Sequence, residues 1–445
     1  MSAFDQSLSP IYLNNQINQP ITLYEGNMVF SSLQENLATR SYGNGIVSFN
    51  WFPTLRIKYQ FHSNDFIDPD VIQHYLELRE IEIVVKGNAH SSSPLFASEE
   101  TRITGSVYDP GVVKNNQKLS YLISHIVNFH DYIGLPIQNC SYRWAGRLVL
   151  EAEGWRVTID SLEPVLRKKL FEALKHDGGY AITHVAKLNR IDDRTFSHEE
   201  ALDILNGLSY FLAFTCGMWV GPIFPVGFDS NGNRSWEPWI FYKATLYKEV
   251  ISWFPLYKTQ NLAQVFVGFM KHWTDPTWQE PIKLAIHWYV ESNLQAGAIE
   301  GSIIMAQAAF ELLFEILKSP TSNFKGNEKL SWLFDRAHLP NSFSNLSFDS
   351  NLLNELAAFT SEKKIEISKA LTEIRSKITH PKRNKSSISI IHSTALRQET
   401  WLLSLYYLEL VLLHIFEYQG LYQSRIKFNR EGDYDELPWL VEKVD

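Results

Sequence analysis

Near its C-terminal end the chain reads LTEIRSKITHPKRNK, which sets Arg375 and His380 with four residues between them at the tail of a predicted helix. Cations crowd the same stretch: Lys377, Lys382, Arg383 and Lys385. A histidine can exchange a proton near neutral pH. An arginine can grip a phosphate by a planar, two-pronged hydrogen bond. With a local positive field, these are the groups that RNA backbone cleavage needs without a metal. Lys377, Lys382, Arg383 and Lys385 are the candidate RNA phosphate contacts.

Helix geometry limits what one copy can do. Five residues advance an α-helix by ~500°, or ~140° net, with a rise of ~7.5 Å. Arg375 and His380 therefore do not share a face of one ideal helix, whereas two copies facing each other could surround a single phosphate. Pro381 pushes His380 out of the α region, so His380 is expected at the helix end. The partial negative charge there favours an imidazolium, suited to a general acid or a phosphate-binding cation. The bare spacing is weak: among 14 histidines it is expected by chance about once or twice. Arg56 and His62 give a second match, but in a segment that alternates like a strand. The bland alternative for Arg375 and His380 is a surface arginine and a helix-capping histidine.

The elements that must position these residues fall into two classes. ITLYEGNMVF, GIVSFNWF, TLRIKYQF, IEIVVKG, TRITGSVY, RWAGRLVLEA and GWRVTID alternate with period two, separated by turn-forming residues. They predict antiparallel sheet, as a sandwich or an open barrel. Residues 70–80 fit helix or strand. Helices are predicted over 161–175 and 197–219, the second opened by a capping box of Ser197 and Glu200. VGPIFPVGFDSNGNRSWEP reads as a loop. From about residue 262 the pattern is helical: 262–273, 278–295, 299–318, 327–337, 351–358, 362–380 and 394–419. Ile367, Ala370, Leu371, Ile374 and Ile378 draw one apolar stripe. The last helix is apolar almost all round and should be central, with Gly420 as its C-cap. The fold class is thus α+β multidomain. A β-rich region over 1–255, with a break near 160–195 if it divides, precedes an all-α bundle over 262–421 and a tail over 422–445.

Composition narrows the function. Net charge is −8, so a nucleic-acid site must be a local patch on an acidic body. Two cysteines without a C-x-x-C build no disulfide framework, which fits a reducing, cytoplasmic compartment. The start, MSAFDQSLSPIYL, carries no secretory pattern. The most apolar stretches, 211–228 and 401–416, are interrupted by Pro222 and Pro225 or by Glu409 and His414, so no membrane span is expected. No P-loop, G-x-S-x-G or H-E-x-x-H occurs, and no cofactor or metal is expected. His125 and His130 are the closest histidine pair beyond the motif. Trp144, Trp155, Trp219, Trp236 and Trp239 could line a groove or pack the sheets.

The region from about 262 to 421 resembles a HEPN domain, a small helical bundle with an R-x4-6-H motif, of the kind found in ApeA-like abortive-infection proteins. The resemblance rests on IKLAIHWYVESNLQAGAIEGSIIMAQAAFELLFEIL, KLSWLFDRAHLP and EIRSKITHP. It implies metal-independent RNA cleavage in a cleft formed by a homodimer. His380 would move a proton at the ribose 2′-hydroxyl or the leaving oxygen, Arg375 would stabilise the phosphate, and Glu311 would orient them. It also implies antiphage defence controlled by an N-terminal sensing module that meets a trigger, such as a phage-derived one. The alternative is a non-catalytic HEPN-like scaffold used for dimerisation or binding.

Overall fold

The computed structural model describes residues 4–33, 40–65, 67–68, 70–79, 83–94, 101–109, 118–319, 324–343, 366–381, 393–427 and 434–440. After a two-residue strand β1 (Asp5–Gln6) the chain makes β2 (Ile21–Ser32), β3 (Arg40–Asn50), β4 (Arg56–Ser63), β5 (Gln73–Leu78), β6 (Ile83–Pro94) and β7 (Thr101–Asp109). These six close into an antiparallel barrel in the order β2-β3-β4-β7-β6-β5. The barrel is closed rather than open because β2 is long enough to pair twice. It meets β3 along most of its length, and Met28–Ser32 also meet Leu78–His74 of β5. The ambiguous residues 70–80 thus supply the closing strand. Alternate residues fill the interior, among them Phe30, Val47, Phe49, Tyr59, Phe61 and Leu76.

The next unit is an eight-stranded sheet, ordered β1-β9-β10-β11-β12-β8-β13-β14. Its strands are β8 (Tyr121–Val127), β9 (Leu135–Gln138), β10 (Arg143–Ala152), β11 (Trp155–Ser161), β12 (Ile182–Arg190), β13 (Pro222–Phe228) and β14 (Arg234–Trp236). All pair antiparallel except β1 with β9. The break near 160–195 falls inside this sheet, where β11 pairs with β12, so the two β units part between Asp109 and Lys118 instead. The segment read as a loop is the β13–β14 hairpin. Its prolines are tolerated because β13 is bulged between Ile223 and Val226, where Phe224 adopts φ +48° and Pro225 owes the ladder no N–H.

Eight described helices complete the chain: α1 (Pro164–Asp177), α2 (His198–Cys216), α3 (Gln260–Trp273), α4 (Gln279–Asn293), α5 (Ala298–Leu317), α6 (Asn327–Arg336), α7 (Ile367–Thr379) and α8 (Thr394–Ile415). The helix predicted over 351–358 lies outside the described residues. The capping box forms at α2: the Glu200 N–H donates to Ser197 Oγ, and the Ser197 N–H donates to Glu200 at 2.8 Å. Ser197→Ala is expected to cost about 1 kcal/mol, seen as a lower denaturation midpoint with unchanged cooperativity. An unchanged midpoint would mean the cap carries no stability.

The eight-stranded sheet and the helical half share one apolar core that runs from Leu119 to Leu437, while a second core joins the barrel to Val127, Ile182, Ile223, Phe224 and Trp239 of the sheet unit. The boundary expected between 255 and 262 therefore does not divide the larger core. The expected tail is also folded in. Tyr422, Arg425 and Leu437 are buried, and β15 (Leu421–Tyr422) pairs with β16 (Asp435–Glu436). Gly420 does not cap α8. The helix ends at Ile415, with Glu417 at φ +55° just beyond.

Candidate functional site

The stripe on α7 decides where the motif points. Ile367, Ala370, Leu371 and Ile374 are fully buried, and Ile378 packs against the core, so the helix lies on α5, α6 and α8. Asn341 fastens its start: its side-chain oxygen accepts from the Ser368 N–H, and its backbone oxygen from the Ile367 N–H. The last turn ends as the proline requires. His380 is the C-cap at φ −132°, ψ 65°, and its N–H donates to Ser376 O at 2.8 Å.

Arg375 is half-buried and His380 is exposed. The structure brings Arg375 to Glu311: Nη2 lies 3.7 Å from Oε1 of the acid on α5. Both side chains remain about a third or more exposed, so the pair is loose and screened. Arg375 Nε has no hydrogen-bond partner. One edge of the guanidinium is therefore used lightly, at a distance beyond a good hydrogen bond. Neither motif side chain is folded under α8. Lys377 is partly exposed on the same turn, and Lys382, Arg383 and Lys385 lie outside the described residues. Arg56 and His62 lie on β4, as their alternation predicted.

The other sequence candidates are structural. Trp144, Trp155, Trp219, Trp236 and Trp239 are all buried, so they line no exposed groove. His125 and His130 do not act together on a ligand. His125 Nε2 accepts from the N–H groups of Ile11 and Tyr12 at 3.0 and 2.9 Å, which fastens the N-terminal segment to β8. His130 Nε2 donates to Cys216 O at 3.4 Å. Among the described residues, no group of three or more His, Cys, Asp or Glu side chains is placed to hold a metal ion.

Sequence reasoning missed the most buried ionic group. Glu409 of α8 and Arg425 are both sealed from solvent and paired, with Nε donating to Oε2 at 2.9 Å and Nη2 to Oε1. Tyr289 of α4 donates its hydroxyl to Glu409, and Arg425 also donates to Asn293 Oδ1 at 3.1 Å and to Ile251 O at 3.2 Å. Burial works against the guanidinium charge, but the Glu409 carboxylate outweighs it and holds the Arg425 pKa above its ordinary value. Burial and the same carboxylate push the Tyr289 hydroxyl far up. The signal was present in the sequence: one acid inside the apolar run YYLELVLLHI demands a buried partner.

Two family models match this architecture. The YopA central domain covers residues 114–250, which hold seven strands of the eight-stranded sheet with α1 and α2, and the YopA C-terminal domain covers 275–435, which begins just before α4. The barrel lies outside both. Across nearly its whole length the chain is similar to the SPbeta prophage-derived uncharacterized protein YopA of Bacillus subtilis (strain 168). The two are 25% identical over 457 residues, covering 97% of this chain and 98% of that one. No solved structure matches. These descriptions name no activity, so the likeness to HEPN domains rests on the residues alone. Among the described residues, no helix is long and apolar enough to cross a membrane.

Proposed function

We propose that the helical half is a HEPN-type ribonuclease of ApeA-like character, which cleaves RNA as a homodimer in the cytoplasm and serves antiphage defence under control of the β-rich half. The observation that carries this reading is the meeting of two distant parts of the chain: Glu311 on α5 lies against Arg375 on α7, with His380 exposed at the end of the same helix. Arg375 would clamp the scissile phosphate, with Glu311 holding the guanidinium beside it. His380 would transfer a proton at the 2′-hydroxyl or at the leaving 5′-oxygen. The 2′-oxygen bonds to phosphorus as the bond to the 5′-oxygen breaks, leaving a 2′,3′-cyclic phosphate and a 5′-hydroxyl. Similarity to a prophage-derived protein supports a setting in the contest between phage and host.

A second reading is favoured by one contact. Arg375 already has Glu311 as a partner, as a structural arginine on a dimerisation scaffold would. The purified protein should separate the two when labelled RNA is incubated with excess chelator. Wild type is expected to release 5′-hydroxyl ends, and His380→Ala and Arg375→Ala to lose activity by about a hundredfold or more while remaining folded. If RNA stays intact in cells under a phage challenge that wild type demonstrably restricts, the scaffold reading replaces the nuclease.

A further inference from the structure

Between the two family-matched units lies a cleft of about 670 Å³. One wall is a single face of α1, where Arg167, Lys168, Phe171 and Lys175 recur at helical spacing. The opposite wall is the chain around Tyr247–Leu256, which joins the sheet to the helical half. His130 and Asp131 form one end, and Gln423 reaches in from the C-terminal segment. The size is that of a small-molecule site, and inter-unit clefts are where such sites tend to form.

The lining has three kinds of group. Phe171 and Tyr247, which keep only a small edge open, form the floor over the sealed ring of Phe254. Three cations stand on the α1 wall, and three lining carboxylates, Asp131, Glu172 and Glu249, each hold one of them in an exposed or loose pair. Arg167 lies 3.6 Å from Asp131, Lys168 lies 3.8 Å from Glu172, and Lys175 lies 3.3 Å from Glu249. Such pairs contribute little, so a dianion can displace them at small cost. Arg167 is the anchored member: it is largely buried and donates to Ser161 Oγ at 3.1 Å.

We infer that this cleft binds a nucleotide. Its phosphates would lie along Arg167, Lys168 and Lys175, and its base on the Phe171–Tyr247 floor. The site touches the junction itself. Ile251 lines the cleft and is also the carbonyl that receives Arg425 from the buried ion pair. A bound nucleotide would thus tie the sheet to the helical half and give the β-rich half a way to report on its surroundings. Because its readout is binding, the proposal stands whether or not the protein cleaves RNA.

Calorimetric titration of the full chain with the mono- and triphosphates of adenosine, guanosine, cytidine and uridine tests it, with inorganic phosphate and the free nucleosides as companion probes. At least one nucleotide is expected to bind with Kd below about 100 μM, and both phosphate alone and the matching nucleoside at least about tenfold more weakly. Arg167→Ala should weaken binding at least about tenfold. Lys168→Glu and Lys175→Glu sit on exposed positions that folding does not need, and each should weaken it several-fold, while Lys86→Ala on the barrel should change nothing. The inference is overturned if no nucleotide binds below about 1 mM, if phosphate alone binds as tightly, or if the two charge reversals leave the affinity unchanged.

Discussion

Replacing Glu409 by alanine is expected to cost about 3–5 kcal/mol of stability, because it strands the Arg425 guanidinium in the core. That is a large share of the roughly 5–15 kcal/mol by which a folded domain is usually stable. The loss exceeds that of an ordinary cavity here because the carboxylate serves several donors at once. It accepts two bonds from Arg425 and one from the Tyr289 hydroxyl. Arg425→Ala should cost a similar amount, since it leaves Glu409 charged and sealed between α4 and α8. Replacing both by apolar residues of similar volume, as in Glu409→Leu with Arg425→Met, should cost much less than the sum, because no charge is then orphaned. Denaturant titration of the two single variants and the double variant reads the coupling directly. If either single variant lost under about 1 kcal/mol, the pair would be peripheral to stability.

Acidification should destabilise the protein well before most carboxylates titrate. Burial pushes the imidazoles of His74 and His125 down to about 4, and holds that of His184 well below its ordinary value. The ordinary value in an unfolded chain is about 6.5. Above that value neither state takes up a proton at these residues, and their contribution to stability is complete. As pH falls from about 6.5 towards 4, the unfolded chain binds protons that the folded chain refuses, so stability falls with pH. A depression of this size corresponds to about 3 kcal/mol for each of His74 and His125. The structural result differs between them. His74 lies in the barrel stacked on Phe30 at 4.3 Å, so its charging opens the barrel core. His125 on β8 would place a proton where Ile11 and Tyr12 now donate, so its charging releases the N-terminal segment. Tryptophan fluorescence of unfolding at pH 7, 6, 5 and 4 should show a midpoint that falls through this window, and His74→Phe should flatten part of the fall. A midpoint that is constant from pH 7 to 4.5 would contradict the assignment.

What could be read from the sequence was what local chemistry decides. The α7 stripe from Ile367 to Ile378, the Ser197–Glu200 capping box and the end of α7 at His380 each depend on a few neighbouring residues, and each stands as expected. Strands dominate before about 255 and helices after it, as periodicity indicates, with α1 and α2 set among the strands. Long-range decisions were not legible. That β2 pairs with both β3 and β5, closing the barrel, depends on residues 40 or more positions apart. The strand through Pro222 and Pro225 is hidden by its own bulge at Phe224. Arg425 looks like a surface charge in a polar tail until Glu409 is seen across the core. At the candidate site, the resemblance alone grouped Glu311 with Arg375, and the packing of α5 on α7 is what sets them side by side. The cleft beside α1 escaped because its walls come from four separated segments, none with a motif of its own.

The closed barrel has a consequence for association. A ring of six strands has no first or last member, so it offers no row of unpaired backbone groups on which a neighbour could build. The other sheet is nearly as well defended, since it ends in β1 and β14, strands of two and three residues. Among the described residues, then, the barrel and the long sheet offer a partner only short stretches of strand edge to extend. Recognition by the β-rich half is thereby weighted towards side chains, and crowding of many copies carries little risk of edge-to-edge stacking into fibrils.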